Sequence, residues 1–289
     1  MPGTSSGSPR ARALGAELRE ARQRQNLSVR ELARRLGTSH TLISRYETGA
    51  RLPRPEDVAS ILQELGVTGE HRERALDLAR QAGDPNWLAL GNSGSGRPLA
   101  SYIDFERSAT EIIDVAPLLI PGLLQTADYA RVAMTGSRTG EAETRLMLRL
   151  ARREILTRRN PAKLHALICE DALRRPFGGQ QVQHEQLLHL SSMAEMANVD
   201  IQVIPAQDAK WNASLVGPFV YLSFPKALPI VHLEHYRSSV FLYDKKLVAD
   251  YQRAADELRE QALSSEESLR LIKALAVEIG ETDRCWKLR

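Results

Sequence analysis

The chain has 289 residues, of which 43% are hydrophobic and 26% charged, a composition typical of globular proteins and a length sufficient for two domains. No apolar run approaches the length of a membrane span, and the polar N-terminus lacks the apolar core of a secretory signal. The two cysteines, Cys169 and Cys285, give neither a disulfide framework nor a metal-binding spacing. We therefore expect a reduced, cytoplasmic protein.

The positive charge is concentrated near the N-terminus. Residues 1–54 contain eleven arginines and four acidic residues, a charge of +7, whereas the whole chain carries only +3. The rest of the chain must then carry −4. A basic region of this kind is what binding to phosphates requires, although a solvated basic face would give the same count.

Two short helices joined by a tight turn are predicted between Leu27 and Gly49. Ser28 and Ser39 stand where a hydroxyl can cap a helix, and Gly37 stands where the first helix must end. The polar outer face of the second helix could read base edges in a major groove. The predicted DNA-binding residues are Ser28, Val29, Ser39, His40, Thr41, Ser44, Arg45 and Arg51.

This stretch resembles the helix-turn-helix of the XRE family, the lambda-repressor and Cro-like regulators. The resemblance rests on the run L-S-x-x-E-L-A-x-x-L-G from Leu27 to Gly37, followed by the motif residues Ile43, Ser44, Arg45, Glu47 and Gly49. It implies a structural ion pair between Arg22 and Glu47. It also implies a homodimer bound to double-stranded DNA at an inverted-repeat operator.

The predicted N-terminal domain covers residues 12–90 and is all-α. A disordered arm precedes it at 1–11, and helices are predicted at 13–24, 55–65 and 70–82 besides the motif. The sequence GNSGSGRP at 91–98 has the composition of a linker, so we expect the C-terminal domain at 99–280 and a tail at 281–289.

The C-terminal domain is predicted to mix helices with a sheet of roughly five strands, an α+β arrangement. A strand, helix, strand order at 163–204 favours a parallel pair, and three strands with short connections favour an antiparallel meander. The predicted strands are 163–170, 199–204, 218–224, 230–236 and 240–243. The predicted helices are 99–115, 126–134, 141–159, 180–198, 247–263 and 265–280.

This second half resembles the C-terminal domain of actinobacterial WhiJ-like, antitoxin-like XRE regulators. The motifs that carry the resemblance are PGLLQTADYAR (121–131), ARREIL (151–156), EDALRRPFGG (170–179), VDIQVIP (199–205) and GPFVYLSF (217–224). Members of that family are transcriptional regulators that are often encoded beside a small partner protein, which the resemblance implies as a possible partner here.

The sequence contains no set of nucleophile, base and orienting group, so we predict neither an enzyme nor a cofactor. His232 and Glu234 share a strand face and could begin a metal site, but further ligands are missing and a polar strand face is favoured. Glu141, Glu143 and Glu154 are interspersed with the arginines between 145 and 159, which favours a solvated face over a surface for an acidic partner.

The sequence thus predicts a DNA-binding transcriptional regulator whose C-terminal domain dimerises and binds a partner protein or small ligand. The proposed contact residues for that partner are Gln125, Asp128 and Arg131, whereas Leu123 and Leu124 are expected to fill the core. Two alternatives stay open. The first is an antitoxin-type module that neutralises a small partner and regulates its own operon, and the second is an enzyme fused to a DNA-binding domain.

Overall fold

The computed structural model describes residues 9–80, 86–90, 97–134, 142–206, 211–225, 227–235 and 238–287. The chain divides into two compact units, one formed mainly by residues up to Leu88 and the other mainly by residues from Ala89 onward. Most of the predicted arm and linker, and the end of the predicted tail, lie outside the described residues. Within the described part of the chain, no helix has the length and apolar character needed to cross a membrane.

The N-terminal unit is helical. Its helices are α1 (Pro9–Arg24), α2 (Val29–Arg35), α3 (His40–Glu47), α4 (Pro55–Glu64) and α5 (Gly69–Arg80). Apolar side chains at helical spacing form one core, in which Leu14, Leu18 and Leu32 are almost fully buried. The arm prediction is wrong for residues 9–11, because they form the first turn of α1 and the Ala11 side chain is fully buried.

Hydroxyl groups cap α2 and α3 as their sequence positions predict. Ser28 Oγ accepts a hydrogen bond from the backbone N–H of Glu31, and Ser39 Oγ accepts one from that of Leu42, at 3.1 and 3.2 Å. Gly37 adopts φ +61° at the end of α2, a conformation that other residues reach only with strain. The Glu31 carboxylate accepts hydrogen bonds from Arg34 and Arg35, rather than completing a capping box.

The C-terminal unit combines helices with a mixed sheet. The strands of the structure are β1 (Asn86–Leu90), β2 (Glu111–Ala116), β3 (Lys163–Cys169), β4 (Val199–Ile204), β5 (Phe219–Ser223), β6 (Ile230–His235) and β7 (Ser238–Leu242). The helices are α6 (Arg97–Ser108), α7 (Ala127–Met134), α8 (Ala142–Ala151), α9 (Glu154–Thr157), α10 (Glu170–Arg174), α11 (Gln180–Met193), α12 (Lys245–Gln261) and α13 (Ser265–Lys287). Short 3-10 helices lie at Gly122–Leu124 and Ala213–Val216.

The strand order in the sheet is β1-β7-β6-β5-β2-β3-β4, and β2 to β7 are the six strands of the C-terminal mixed domain. The parallel pairing of β3 with β4, predicted from the sequence, is confirmed, with Leu164 opposite Val199. Strand β2 pairs in parallel with β3 and antiparallel with β5, so it lies in the interior of the sheet.

Two helix predictions are wrong in their extent. The helix predicted at 99–115 ends at Ser108, whose hydroxyl donates to the carbonyl of Asp104, and the chain continues as β2. The five-strand estimate missed β2 for this reason. The long helix predicted at 141–159 ends at Ala151, and a turn separates it from α9. The tail prediction is also wrong, since α13 extends to Lys287.

Candidate functional site

Helix α3 presents a polar face to solvent. His40, Thr41, Ser44 and Arg45 are exposed, whereas Ile43 on the opposite face is almost fully buried. The Arg45 guanidinium has no hydrogen-bond or ion-pair partner among the described residues, so it is available to a ligand. This face therefore combines hydroxyl, imidazole and guanidinium groups on a short helix held from behind, the arrangement that major-groove reading requires.

A buried ion pair holds the C-terminal end of α3 against α1. Arg22 Nε and Nη2 donate to the two carboxylate oxygens of Glu47 at 2.6 and 2.7 Å, and Arg22 Nη1 donates to the carbonyl of Leu27 at 2.7 Å. The hydrogen bonds that Arg22 donates to the Glu47 carboxylate raise the pKa of Arg22. Because both pairing partners are fixed by packing, the contact is structural and sets the orientation of the helix.

Two further contacts that the sequence reasoning missed fix α3. Tyr46 Oη donates to Asp57 Oδ2 at 3.0 Å, and the same oxygen accepts from the backbone N–H of Arg54 at the start of α4. Gly15 of α1 lies so close to the end of α3 that an added Cβ would be 2.4 Å from the Tyr46 carbonyl oxygen. A glycine inside a predicted helix was the available signal for this close approach.

The remaining predicted DNA-binding residues flank this face. Ser28 and Ser39 are exposed and serve as helix caps, and Arg51 is exposed just after α3. Val29 differs, because its side chain is partly buried against the helical core. Arg34 and Arg35 on α2 are engaged with Glu31, which leaves Arg45 and Arg51 as the cations nearest in sequence to the polar face.

The residues proposed for a partner surface do not lie together. Asp128 and Arg131 are exposed on α7 and form an ion pair, but Gln125 is only 1% exposed. Its amide nitrogen donates to the carbonyl of Ile120 at 2.8 Å, and its amide oxygen accepts from Arg149 Nε at 2.9 Å. Gln125 is therefore excluded from the predicted exposed surface by these buried hydrogen bonds. Leu123 and Leu124 are buried, as expected.

Arg152, Arg153 and Arg158 do not lie on the predicted solvated face. Arg152 donates from Nε and Nη2 to the two carboxylate oxygens of Glu106 at 2.7 and 2.9 Å, and both side chains are buried. Arg153 donates to the Gln125 carbonyl, and Arg158 donates to the carbonyl of Arg107 at 2.6 Å. The predicted helical surface is absent because the helix ends before Arg152.

A cavity of about 260 Å³ lies in the C-terminal unit, and Arg152 of the Arg152–Glu106 pair lines it. Its polar lining residues are Tyr102, Asp114, Gln125, Arg149, Arg152, His232, Glu234 and Ser239. Burial and the nearby Glu106 carboxylate raise the pKa of Asp114 to about 7, whereas burial lowers the pKa of His232 to about 4. His232 and Glu234 thus belong to a cavity wall.

A cysteine and a glutamate of the C-terminal unit, residue types that can be reactive, have structural partners. Cys169 Sγ lies 3.3 Å from Ser214 Oγ, and burial raises the pKa of the thiol, which disfavours the nucleophilic thiolate. Glu170 begins α10 and accepts hydrogen bonds from Arg174 and from the backbone of Ala206. Within the described ranges, no group of three or more histidine, cysteine, aspartate or glutamate side chains could hold a metal ion.

Two family models match the chain. One, described as a domain of unknown function (DUF5753), matches residues 99–274, and the other, described as a helix-turn-helix domain, matches residues 13–75. The second match covers α1 to α4 and most of α5, so it includes the polar face of α3 and its supporting contacts. No curated protein matches the chain.

Two solved structures show weak likeness. One is the archaeal chromatin protein TrmBL2, whose structure is said to show a novel mode of DNA binding. It has 13% sequence identity and a TM-score of 0.32, and the match covers 71% of this chain and 65% of the TrmBL2 chain. The phosphatidylserine synthase of Haemophilus influenzae Rd KW20 has 12% identity and a TM-score of 0.39, covering 83% of this chain and 56% of its own. At these TM-scores neither likeness carries an argument about fold or function.

Proposed function

The chain belongs to the DUF5753 family and carries a helix-turn-helix domain, and from this premise we propose that it is a sequence-specific transcriptional regulator. The N-terminal unit would bind double-stranded DNA in the manner of XRE-type regulators. The C-terminal unit, which we take to be WhiJ-like, would supply dimerisation and a regulatory input from a partner protein or small ligand.

The observation that carries this proposal is the contrast between the two faces of α3. Outward side chains are exposed and polar, whereas the inward face is fixed by the buried Arg22–Glu47 pair and the Tyr46–Asp57 hydrogen bond. A helix held this firmly presents its outer side chains with little loss of conformational entropy on binding.

Arg45 is the proposed base reader. Its guanidinium carries paired donors that match O6 and N7 of guanine, and its outward position on α3 puts it where the recognition helix meets the groove. Arg51 follows α3 and would contact the phosphate backbone, which fixes register without reading sequence. His40, Thr41 and Ser44 would supply the remaining contacts to base edges or phosphates.

A dimer is the proposed binding unit, since one short recognition helix reaches few base pairs. The operator would be an inverted repeat with half-site centres about 10 base pairs apart, or a multiple of that spacing. We assign dimerisation to the C-terminal unit. Sedimentation would test this assignment, because a fragment of residues 1–91 should be monomeric, and a tight dimer of that fragment would contradict it.

Selection of operator sequences from a random DNA pool, followed by gel-shift titration, tests the function itself. Arg45→Ala should weaken binding to the selected operator by about 1–3 kcal/mol and relax the preference at one base pair. Arg80→Ala is the matched control, because Arg80 is an exposed arginine on α5 that pairs with Asp77. Equal losses in both variants, or no selected sequence at all, would overturn the proposal.

The antitoxin-type alternative is favoured by a different observation. The segment 211–216 of the C-terminal unit exposes three large apolar side chains, Trp211, Leu215 and Val216, at 76%, 65% and 79%. Contiguous apolar exposure of this kind is typical of protein-binding surfaces. Coexpression with the products of neighbouring genes distinguishes the two functions, since only the alternative requires a stable stoichiometric complex that relieves toxicity of the partner.

A further inference from the structure

The cavity in the C-terminal unit has an apolar wall and a separate polar end. Its apolar part is built by the C-terminal end of β2, the segment 117–121 and strand β5, including Val115, Ile120 and Phe219. At about 260 Å³ it is close to the lower end of the range of known ligand sites, which begins near 300 Å³. Leu118 and Leu119 of the lining are exposed at 54% and 39%, so the cavity opens to solvent there.

One of the two arginines at the polar end already has its counter-charge. Arg152 forms a bidentate pair with Glu106, and its guanidinium carbon lies 4.9 Å from the centroid of the Tyr102 ring. The His232 ring also packs on Tyr102, with ring centroids 4.5 Å apart. This group is internally satisfied and needs no ligand.

Arg149, the other arginine, lacks such a partner. It is partly buried, its Nε donates to the neutral amide oxygen of Gln125, and no carboxylate of the described residues lies within ion-pair distance. Burial and the neighbouring Arg152 both lower the pKa of Arg149, but a guanidinium retains its proton at any physiological pH. Its positive charge therefore stays in the cavity wall.

The carboxyl groups of the cavity do not require a bound cation, so the site is asymmetric in charge. Asp114 can take up a proton near neutral pH, since its pKa is raised to about 7. Glu234 is exposed, so water solvates its charge. A bound cation would therefore find no fixed buried anion in the cavity wall, whereas a bound anion would find the fixed, partly buried charge of Arg149.

Ser239 supplies a second, independent sign of a missing ligand. Its side chain lines the cavity and is 0% exposed, yet its hydroxyl has no hydrogen-bond partner among the residues that the structure describes. A buried hydroxyl without a partner costs free energy, so such groups are rare unless something else completes them.

We propose that this cavity binds a small carboxylate with an apolar body. The two Nη atoms of Arg149 would donate to the carboxylate, the Ser239 hydroxyl would complete its hydrogen bonding, and the apolar walls would hold the body. The site stands independently of DNA binding, and its use as the effector site of a regulator is the part that rests on the proposed function.

Isothermal titration calorimetry of the full chain with octanoate tests the proposal. Octanoate should bind with one-to-one stoichiometry, and octanol, which has the same chain without the charge, should bind at least about tenfold more weakly. Octylamine should not bind. A preference for octylamine over octanoate would overturn the assignment of charge, and no binding along the series from butanoate to decanoate would overturn the site.

Two variants locate the binding within the cavity. Arg149→Met removes the charge at similar length, and Ser239→Ala removes the unpartnered hydroxyl at little risk to folding; both should weaken octanoate binding by about tenfold or more. Arg253→Met is the matched control, because Arg253 is exposed on α12 and does not line the cavity. Unchanged affinity in Ser239→Ala and Arg149→Met together would contradict the proposed contacts.

Operator binding is measured in the same preparations, so that the two proposals fail separately. Octanoate binding without any selected operator would leave the site standing and overturn the regulator function. Operator binding without any bound carboxylate would support the regulator function and overturn the carboxylate site. A change in operator affinity on adding octanoate that disappears in Arg149→Met would identify the cavity as the effector site.

Discussion

Among the residues that the structure describes, each unit contains one buried bidentate arginine–glutamate pair, and the two pairs differ in their surroundings. In the N-terminal unit Arg22 and Glu47 have side chains 11% and 5% exposed, and in the C-terminal unit Arg152 and Glu106 are 8% and 2% exposed. Beside the first pair, the half-exposed Arg19 donates to the Glu47 carbonyl at 2.8 Å, and the polar face of α3 lies on the opposite side of that helix. Around the second, further titratable groups line a cavity.

The comparison shows that a buried ion pair does not by itself mark a functional site. The Arg22–Glu47 pair orients α3, and the groups proposed to bind DNA lie on the other side of that helix. The Arg152–Glu106 pair instead forms part of the wall of a cavity, where Arg149 and Ser239 lack the partners that Arg152 has. What distinguishes the second region is incomplete pairing, not the presence of charge.

The largest expected effect is that of Glu106→Ala. It leaves the Arg152 guanidinium buried without its counter-charge, which should cost about 4 kcal/mol of unfolding free energy. Calorimetric unfolding of the full chain measures this as a lower transition temperature. A loss of unfolding free energy below about 1 kcal/mol would show that another carboxyl group, with Asp114 as the first candidate, replaces Glu106 as the partner of Arg152. The two pairs would then differ in energy although their geometry is similar.

Glu47→Ala should cost somewhat less, about 3 kcal/mol, because the Arg22 side chain is more exposed and can turn toward solvent. DNA affinity should fall as well, since α3 loses its anchor. The double variant Arg22→Met with Glu47→Leu should recover most of the stability, as apolar replacement of a whole pair often does. Weakened DNA binding with unchanged thermal stability in Glu47→Ala would indicate a direct contact of Glu47 with DNA instead.

The pH dependence of stability should differ between the two regions through Asp114. In the unfolded chain this carboxyl titrates near 3.8, and in the folded protein near 7, so the folded state holds the extra proton between these values. Stability therefore falls by about 3 kcal/mol as pH rises from about 4 to about 7, and this contribution becomes constant above about pH 8. The groups facing Asp114 are Tyr102, Glu106, Arg149, Arg152 and Glu234.

Asp114→Asn isolates this contribution, because it leaves the other titrating groups in place. Denaturant unfolding at several pH values should show a shallower decline for the variant than for the unaltered protein. An identical pH profile in both would mean that Asp114 is ionised in the folded state at acidic pH, and it would remove the asymmetry of charge on which the carboxylate site depends.

The sequence could predict the N-terminal unit in detail because its signals are local. Caps at Ser28 and Ser39, the turn at Gly37 and helical apolar spacing each act within a few residues, and the helices form where these patterns indicate. The exposure of the α3 face follows from the same periodicity. The Arg22–Glu47 contact was implied only by family resemblance, since 25 residues separate the partners.

The cavity could not be predicted in this way because its parts come from distant segments. Glu106 and Arg152 are 46 residues apart, and Ser239 lies in a third segment, strand β7. Two local signals were present, however: Glu106 lies among the apolar positions of α6, and Asp114 interrupts the apolar run of β2. The apolar positions around Ala109 also fit helical spacing, which hid β2 and with it the significance of Asp114.

The smallest effect concerns a feature that both units share, a serine that caps a helix. Ser39 Oγ accepts from the N–H of Leu42 at the start of α3, and Ser264 Oγ accepts from the N–H of Glu267 at the start of α13. Replacement of either serine by alanine should cost about 1 kcal/mol of stability. Aspartate, an equally good cap, should preserve stability at Ser39. At Ser264 aspartate should preserve less of it, because the Ser264 hydroxyl also donates to Glu267 Oε2 at 2.6 Å and a carboxylate cannot.

DNA binding separates the two caps. Ser39→Asp places a carboxylate at the end of α3 that we propose to face DNA, so it should weaken operator binding through repulsion by phosphates, and less so at high salt. Ser264→Asp carries the same charge change on the other unit and should leave operator affinity unchanged. If both aspartate variants remain folded and bind the operator with equal affinity in gel-shift titrations, the start of α3 does not approach DNA, and a different surface of the N-terminal unit must bind it.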